Sequence, residues 1–246
     1  MKISNLKTIT LMAAICSASA AQSAVLYSND FDGTIGDASI SGFVIGLQSP
    51  LGGWWENAAA PNQVVVGQNG FSKIVDDQGG VDQGSAQLNT YSDYNGWSPF
   101  NSGQTDVLTK VYAPLGAIAA NLAGQTVTFS FDAKLGNITE TASSTANAFL
   151  SVIKTSDGSY ADISGTTAIT NSDIGSNWGS YSISVLIDSG MVGEELQIGF
   201  SNQTVEAWGA TGMYYDNVEV SAVPVPAAAW LFGSALAGLV AVRRNK

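Results

Sequence analysis

The feature that most constrains this chain is a two-residue alternation of apolar and polar side chains in short runs, with no long stretch of helical periodicity in the body. In residues 126–134, Val127, Phe129, Phe131 and Ala133 alternate with Thr126, Thr128, Ser130 and Asp132. Successive side chains of an extended strand point to opposite faces, so such a run has one core face and one wet face. Tyr181, Ile183, Val185 and Ile187 alternate with serines in the same way, and Leu196, Ile198 and Phe200 repeat the pattern. Further strands are predicted at 146–154 and 106–113, a short helical turn within 115–122 and an exposed loop at 137–145. Clusters of Gly, Asn, Asp and Ser between the runs turn the chain. The expected fold is all-β, a β-sandwich of jelly-roll type. Residues 33–103 are less regular, with apolar runs at 43–47, 63–67 and 86–91 separated by glycine-rich connections.

The two ends read differently from the body. Lys2 and Lys7, an apolar stretch at 9–15 and small residues at 16–24 follow the order of a secretory signal peptide, cleaved between Ala21 and Val25. The only cysteine, Cys16, leaves with that segment. The predicted domain at 25–222 therefore has no disulfide and must be held by its hydrophobic core, with or without a metal ion. It carries four lysines, no arginine and all twenty acidic residues, a formal charge of −16. Nucleic acid is excluded as a partner on that charge. The acidity fits either simple solvation outside the cell or cation binding.

At residues 223–246 a proline pair precedes an uncharged, mostly apolar segment at 227–242 and then Arg243-Arg244-Asn245-Lys246. Sixteen helical residues span about 24 Å against a hydrocarbon core of about 30 Å, so a single membrane helix can just insert, its basic end held on the cytoplasmic side. The run Val223-Pro224-Val225-Pro226-Ala227-Ala228-Ala229-Trp230-Leu231-Phe232-Gly233 closely resembles the PEP-CTERM class of sorting signals, in the variant that reads VPLPAAAWLF. That resemblance implies a Gram-negative, exopolysaccharide-producing bacterium. It also implies an exosortase-type protease as partner, with Pro224 and Pro226 marking the recognised motif and Arg243 and Arg244 holding orientation. The protein would be anchored transiently in the inner membrane and then reach the cell surface or the extracellular space.

Catalysis is narrowed by subtraction. With no histidine anywhere, no cysteine after processing and no arginine before Arg243, His triads, His-ligated zinc and Arg phosphate clamps are all excluded. A pair of carboxylates, as in a glycosidase or lyase, is the remaining enzymatic route. No particular pair stands out, and the chain reads as non-enzymatic. A stronger constellation occupies the two ends of the body, Tyr27-Ser28-Asn29-Asp30-Phe31-Asp32-Gly33 and Gly212-Met213-Tyr214-Tyr215-Asp216-Asn217-Val218. Strand alternation puts Asp216 on the face of Tyr214, Val218 and Val220, pointing inward. A buried carboxylate needs a partner, and a calcium ion would serve; the alternative is an Asp bonded to turn amides at a strand edge, or turned out to solvent through a bulge.

The body is similar to galactose-binding-like jelly rolls found in secreted carbohydrate-binding modules. The resemblance rests on the first-strand Asn29-Asp30-Phe31-Asp32, on Val127-Thr128-Phe129-Ser130-Phe131-Asp132-Ala133-Lys134, on a Trp178-initiated strand, and on the closing Tyr214-Tyr215-Asp216-Asn217-Val218. It implies a structural Ca2+ held by Asp32 and Asp216, with Asp30 beside them. Sugar recognition by stacking on aromatic faces would fall to Trp54, Trp55, Tyr91, Tyr94, Trp97 and Trp208, all in polar or glycine-rich surroundings; the alternative is that these rings tuck back over the sandwich edge. Trp178 is expected in the core. The reading is a surface or matrix protein that binds exopolysaccharide. A purely structural or adhesive biofilm protein is the competing one.

Overall fold

The alternating runs become β-strands, and the long ones outgrow the boundaries drawn from sequence. The structure, a computed structural model, describes residues 23–33, 42–48, 54–56, 72–90, 107–138, 145–204 and 211–224. The signal segment to residue 22, the tail beyond Pro224 and the apolar run at 63–67 lie outside the described residues. In chain order the strands are β1 (Ala24–Asn29), β2 (Val44–Gln48), β3 (Trp54–Glu56), β4 (Lys73–Val75), β5 (Gln87–Thr90), β6 (Val107–Ala117), β7 (Gln125–Ile138), β8 (Thr145–Ile153), β9 (Ile169–Thr170), β10 (Gly179–Leu186), β11 (Glu195–Thr204) and β12 (Thr211–Pro224). The short turn expected within 115–122 is a 3-10 helix at Ala120–Leu122. Among the described residues no helix is long and apolar enough to cross a membrane.

All pairings are antiparallel and build two six-stranded sheets. One runs β10-β7-β12-β5-β4, with β1 also paired to β12; the other runs β3-β2-β6-β11-β8-β9. The chain is thus all-β, a two-sheet sandwich, with Ser23–Pro224 as one compact unit. Val127, Phe129, Phe131 and Ala133 of β7 and Met213, Tyr215, Val218 and Val220 of β12 face Ala148, Leu150, Ile198 and Phe200 of the other sheet, all buried. Phe200 is the interlock. Its ring stacks on Tyr215 at 3.7 Å between centroids and lies 5.6 Å from Phe131 and 5.8 Å from Phe129. Buried aromatic pairs add to area burial, which matters in a domain with no disulfide.

β12 is the organising strand. It pairs with β7 along its length on one side, while on the other it pairs first with β5 (Met213, Tyr214, Tyr215) and then with β1 (Val218 to Ala222). β5 and β1 abut end to end, and β12 changes neighbour at Asp216 and Asn217. There the register against β7 slips, with Asp216 opposite Asp132 but Glu219 opposite Ser130. One extra residue is a β-bulge. Asn217 takes it up in the left-handed region at φ 48°, where asparagine is among the least disfavoured of non-glycine residues.

The structure corrects two sequence expectations. Alternation through Asp216 fails because the extra residue reverses the faces: Tyr215 points into the core, and Tyr214 and Asp216 lie on the opposite, outer face. Asp216 is nonetheless only 1 % exposed, because loops fold over it. Trp178 is also not a core residue. It precedes β10 and is half-buried on the outer face of the same sheet.

Truncating the interlock, Phe200→Ala, should cost about 3–5 kcal/mol of unfolding free energy in urea. Tyr215→Phe should instead be neutral or stabilising, because the Tyr215 hydroxyl is buried without a hydrogen-bond partner. A large loss in the second variant would show that this hydroxyl has a partner in solution.

Candidate functional site

The gap between β5 and β1 is roofed by two segments, the turn after β1 and the glycine-rich loop before β5. In the turn, Asn29 Oδ1 accepts from Phe31 N at 2.8 Å and Asp30 Oδ1 from Asp32 N at 3.3 Å. Phe31 sits at φ 52°, a conformation disfavoured for a bulky residue. Burial of its ring against Phe43, 5.6 Å away, holds it there. With Phe31 anchored inward, Asp30 and Asp32 stand exposed on the rim. Asp32 Oδ1 reaches the second segment, accepting from Ser85 N at 3.2 Å and Ser85 Oγ at 3.0 Å. Gly84 makes that approach possible: it lies at φ +55°, and a Cβ there would press to 3.2 Å from Asp32 Oδ1.

Asp132, beside Asp216 on β7, collects the loop. Its Oδ2 accepts from Gln83 Nε2 at 2.9 Å and Asn217 Nδ2 at 2.8 Å, and its Oδ1 from Ser180 Oγ at 2.6 Å. Asn217 Nδ2 also donates to the Asp82 carbonyl at 2.8 Å. The bulge residue therefore clips the loop to the sheet.

Asp216 is less well served. Its Oδ1 accepts from Asn217 N at 2.7 Å, but its Oδ2 is buried with no partner. Burial pushes its pKa up to about 7, and the charges of Asp32, Asp132 and Asp30 push the same way against the Asn217 amide. Gln87 is the adjacent defect. It is 0 % exposed, its Nε2 donates to the Gln83 carbonyl at 2.8 Å, and its Oε1 is buried without a donor. Leu88 pairs with Tyr215, so Gln87 and Asp216 occupy neighbouring register positions. Two buried acceptors without donors, Gln87 Oε1 and Asp216 Oδ2, thus lie under one roof. Among the described residues no three carboxylates converge as a ready-made metal shell, so the amide and main-chain oxygens would have to complete one.

A cleft of about 280 Å³ adjoins this roof, lined by Gly80, Val81, Asp82, Gln83, Asp132, Trp178, Gly179 and Ser180. Trp178 is fixed from two sides. Its indole N–H donates to the Gln78 carbonyl at 2.8 Å, and a Cβ on Gly80 would collide with Gln83 and come to 2.9 Å from Trp178 Cδ1. Lys134 Nζ lies 5.2 Å from the Trp178 ring and 5.3 Å from the Tyr214 ring. Desolvation holds that amine below the ordinary lysine range, with Asp77 opposing.

Of the residues chosen from sequence, Asp30 and Asp32 lie on the turn after β1 and Asp216 at the bulge of β12, near enough for their charges to act on Asp216 without forming a carboxylate cluster. Trp54 and Trp55 belong to β3, opposite Gln48 and Leu47 at the edge of the second sheet; their side chains, with Tyr91, Tyr94, Trp97 and Trp208, lie outside the described residues. Pro224 ends β12 opposite Gln125, and Pro226, Arg243 and Arg244 lie outside the described residues. Sequence reasoning missed Asp132, Gln83, Gln87 and the Trp178 cleft. Asp132 was visible as the polar end of the Phe-Ser-Phe-Asp run, whereas nothing in 78–87 signalled that this loop folds back.

No protein-family model matches the chain, and no curated protein sequence matches it significantly. Solved structures do. A cyclase from Fischerella sp. TAU is similar in fold, with 13% identity and a TM-score of 0.52 over 83% of this chain and 99% of that one. The CBM22-1 xylan-binding domain of Xyn10C from Paenibacillus barcinonensis aligns over 85% of this chain and 99% of that one, with 13% identity and a TM-score of 0.45. The family 11 carbohydrate-binding module from Clostridium thermocellum aligns over 82% and 96%, with 17% identity and a TM-score of 0.43. At 13% identity the likeness to the cyclase is one of fold.

A pH dependence follows from Asp216. Its folded pKa of about 7 exceeds an unfolded value of about 4, so the unfolded state holds fewer protons between these limits. The stability this group contributes is present below about pH 4 and is lost as pH rises towards 7. In chelator, the urea midpoint of the wild type should fall across that window relative to Asp216→Asn. Parallel profiles would show that the carboxyl does not titrate there.

Proposed function

We propose that residues 25–222 form an exported, non-enzymatic surface or matrix domain, stabilised by a structural calcium ion, that binds extracellular polysaccharide. The observation that carries the calcium half is the buried Asp216 carboxylate with an unpartnered oxygen beside the orphaned Gln87 amide. Asp216 and Gln87 would hold the ion from below, and Asp32 and Asp30 from the turn above. When bound, the cation supplies positive charge to the Asp216 carboxylate, which has no cationic side chain bonded to it among the described residues. It would allow Asp216 to ionise at neutral pH and tie β1, β5 and β12 together at the point where the sheet changes partner.

The polysaccharide half is supported by the Trp178 cleft. A ring held in place, beside the carboxylates and amide of Asp82, Asp132 and Gln83, offers an apolar face to a pyranose and acceptors to its hydroxyls. Trp54, Trp55, Tyr91, Tyr94, Trp97 and Trp208 remain the aromatic candidates elsewhere on the chain. A glycosidase or lyase is the weaker reading. Asp82 and Asp132 share one cleft, but Asp132 is committed as acceptor to Gln83, Asn217 and Ser180, a role suited to positioning rather than proton donation. A structural or adhesive protein that recognises no sugar is the remaining alternative. In all of these readings the tail would give location through exosortase-type processing.

Calcium should raise the melting temperature relative to chelator, and Asp216→Ala should remove most of that gain while leaving the chelated protein folded. Equal melting in both conditions would remove the calcium half. On a panel of extracellular polysaccharides, binding should fall at least about tenfold, or about 1.4 kcal/mol, in Trp178→Ala if the cleft is the site. A loss in Trp54→Ala, Trp55→Ala or Trp97→Ala instead would move the site, and no binding to any polysaccharide would leave the structural reading.

A further inference from the structure

The edges of the two sheets are not protected alike. A free strand edge offers unpaired N–H and C=O groups to any other strand, and proteins blunt it with short strands, bulges, proline or charge. Here β4 and β3 have three residues each and β9 has two. β1 is broken by a bulge between Val25 and Tyr27. β10 has none of these devices. Its eight residues, Gly-Ser-Tyr-Ser-Ile-Ser-Val-Leu, hold no charge and no proline. They pair with β7 in unbroken register from Gly179 opposite Ala133 to Leu186 opposite Thr126. Ser180, Ser182 and Ser184 are exposed, and Leu186 is 58 % exposed.

We infer that this edge is where a second copy of the chain docks, β10 against β10 in antiparallel register about a two-fold axis. The strand is self-complementary. With Ser182 at the axis, directly opposed residues share a face, so Ser180 meets Ser184 outside while Tyr181 meets Ile183 on the core side. Hydroxyl pairing of this kind already occurs one strand over, where Thr128 Oγ1 and Ser184 Oγ lie 2.9 Å apart. Charge selects the location. A body at −16 repels its own copies over most of its surface, while β10 and its outward neighbours Thr126, Thr128 and Ser130 carry no charge, and Asp132, opposite Ser180, is tied up as acceptor to Ser180, Gln83 and Asn217. Two sheets of six strands would then run on as one.

The test uses the full chain in mild detergent. Sedimentation should give twice the chain mass for the wild type, and for Ser176→Lys, a charge placed on an exposed residue outside the strand. Ser182→Lys/Ser184→Lys puts like charges across the axis and should raise the dimer dissociation constant at least about tenfold with an unchanged melting temperature. In a Cys16→Ser background, Ser182→Cys should oxidise to a covalent dimer, an arm that does not depend on the lysine variant folding. A monomeric wild type would overturn the inference. So would association that survives the lysine pair, since it would run through the tail or another surface.

Discussion

Most of what this domain can do depends on one extra residue in its last strand. β12 must pair with β7 along one side and with two different strands on the other, and a regular strand would leave a seam where β5 ends and β1 begins. The bulge at Asp216 and Asn217 turns that seam into a built corner. Asn217, bent into the left-handed region, spends its side-chain amide on Asp132 and on the Asp82 carbonyl, and so pins the glycine-rich loop over the gap. The loop held in this way covers Asp216, which is 1 % exposed. A carboxylate that would be harmless on an ordinary outer face becomes the least satisfied charge in the sheet.

The corner and the core are coupled through adjacent residues. Tyr215 stacks on Phe200 at the centre of the sandwich, and the next residue is Asp216. The aromatic interlock and the acidic corner are thus consecutive in β12, and the corner is bonded onward through Asn217 to Asp132 and Gln83. Glu194 shows the opposite solution to a lone carboxylate: it accepts from the main-chain N–H and hydroxyl groups of both Thr155 and Ser156. Its pKa is accordingly held below the usual carboxylate range. The contrast with Asp216 isolates what donors contribute, since both side chains are 5 % exposed or less.

The strands were legible because alternation is a local signal, and β7, β8, β10 and β11 lie within a residue or two of where their patterns place them, apart from the C-terminal extensions of β7 and β11. The acidic corner was legible in part. Asp32 and Asp216 are far apart in sequence but fall in the two end motifs, and the resemblance to secreted jelly rolls joined them. What failed was parity across the bulge, because an inserted residue leaves no trace in composition and reverses every later face. Trp178 misled for a related reason: it precedes an alternating strand and lies on that strand's outer side, under a loop whose return over the sheet is set by Gly80 and Gly84 and not by any hydrophobic period.

The placement of β12 also has a kinetic meaning. The strand that joins β7, β5 and β1 is the last of the described strands, so the first sheet cannot close until residues 211–224 are available, and contacts between β1 and β12 span nearly the whole domain. Folding dominated by such distant pairings is slow. Until residues 211–224 are added, β7 has only β10 beside it among the described strands of its sheet. A chain built this way stays pliable until its end arrives, and then closes around that end.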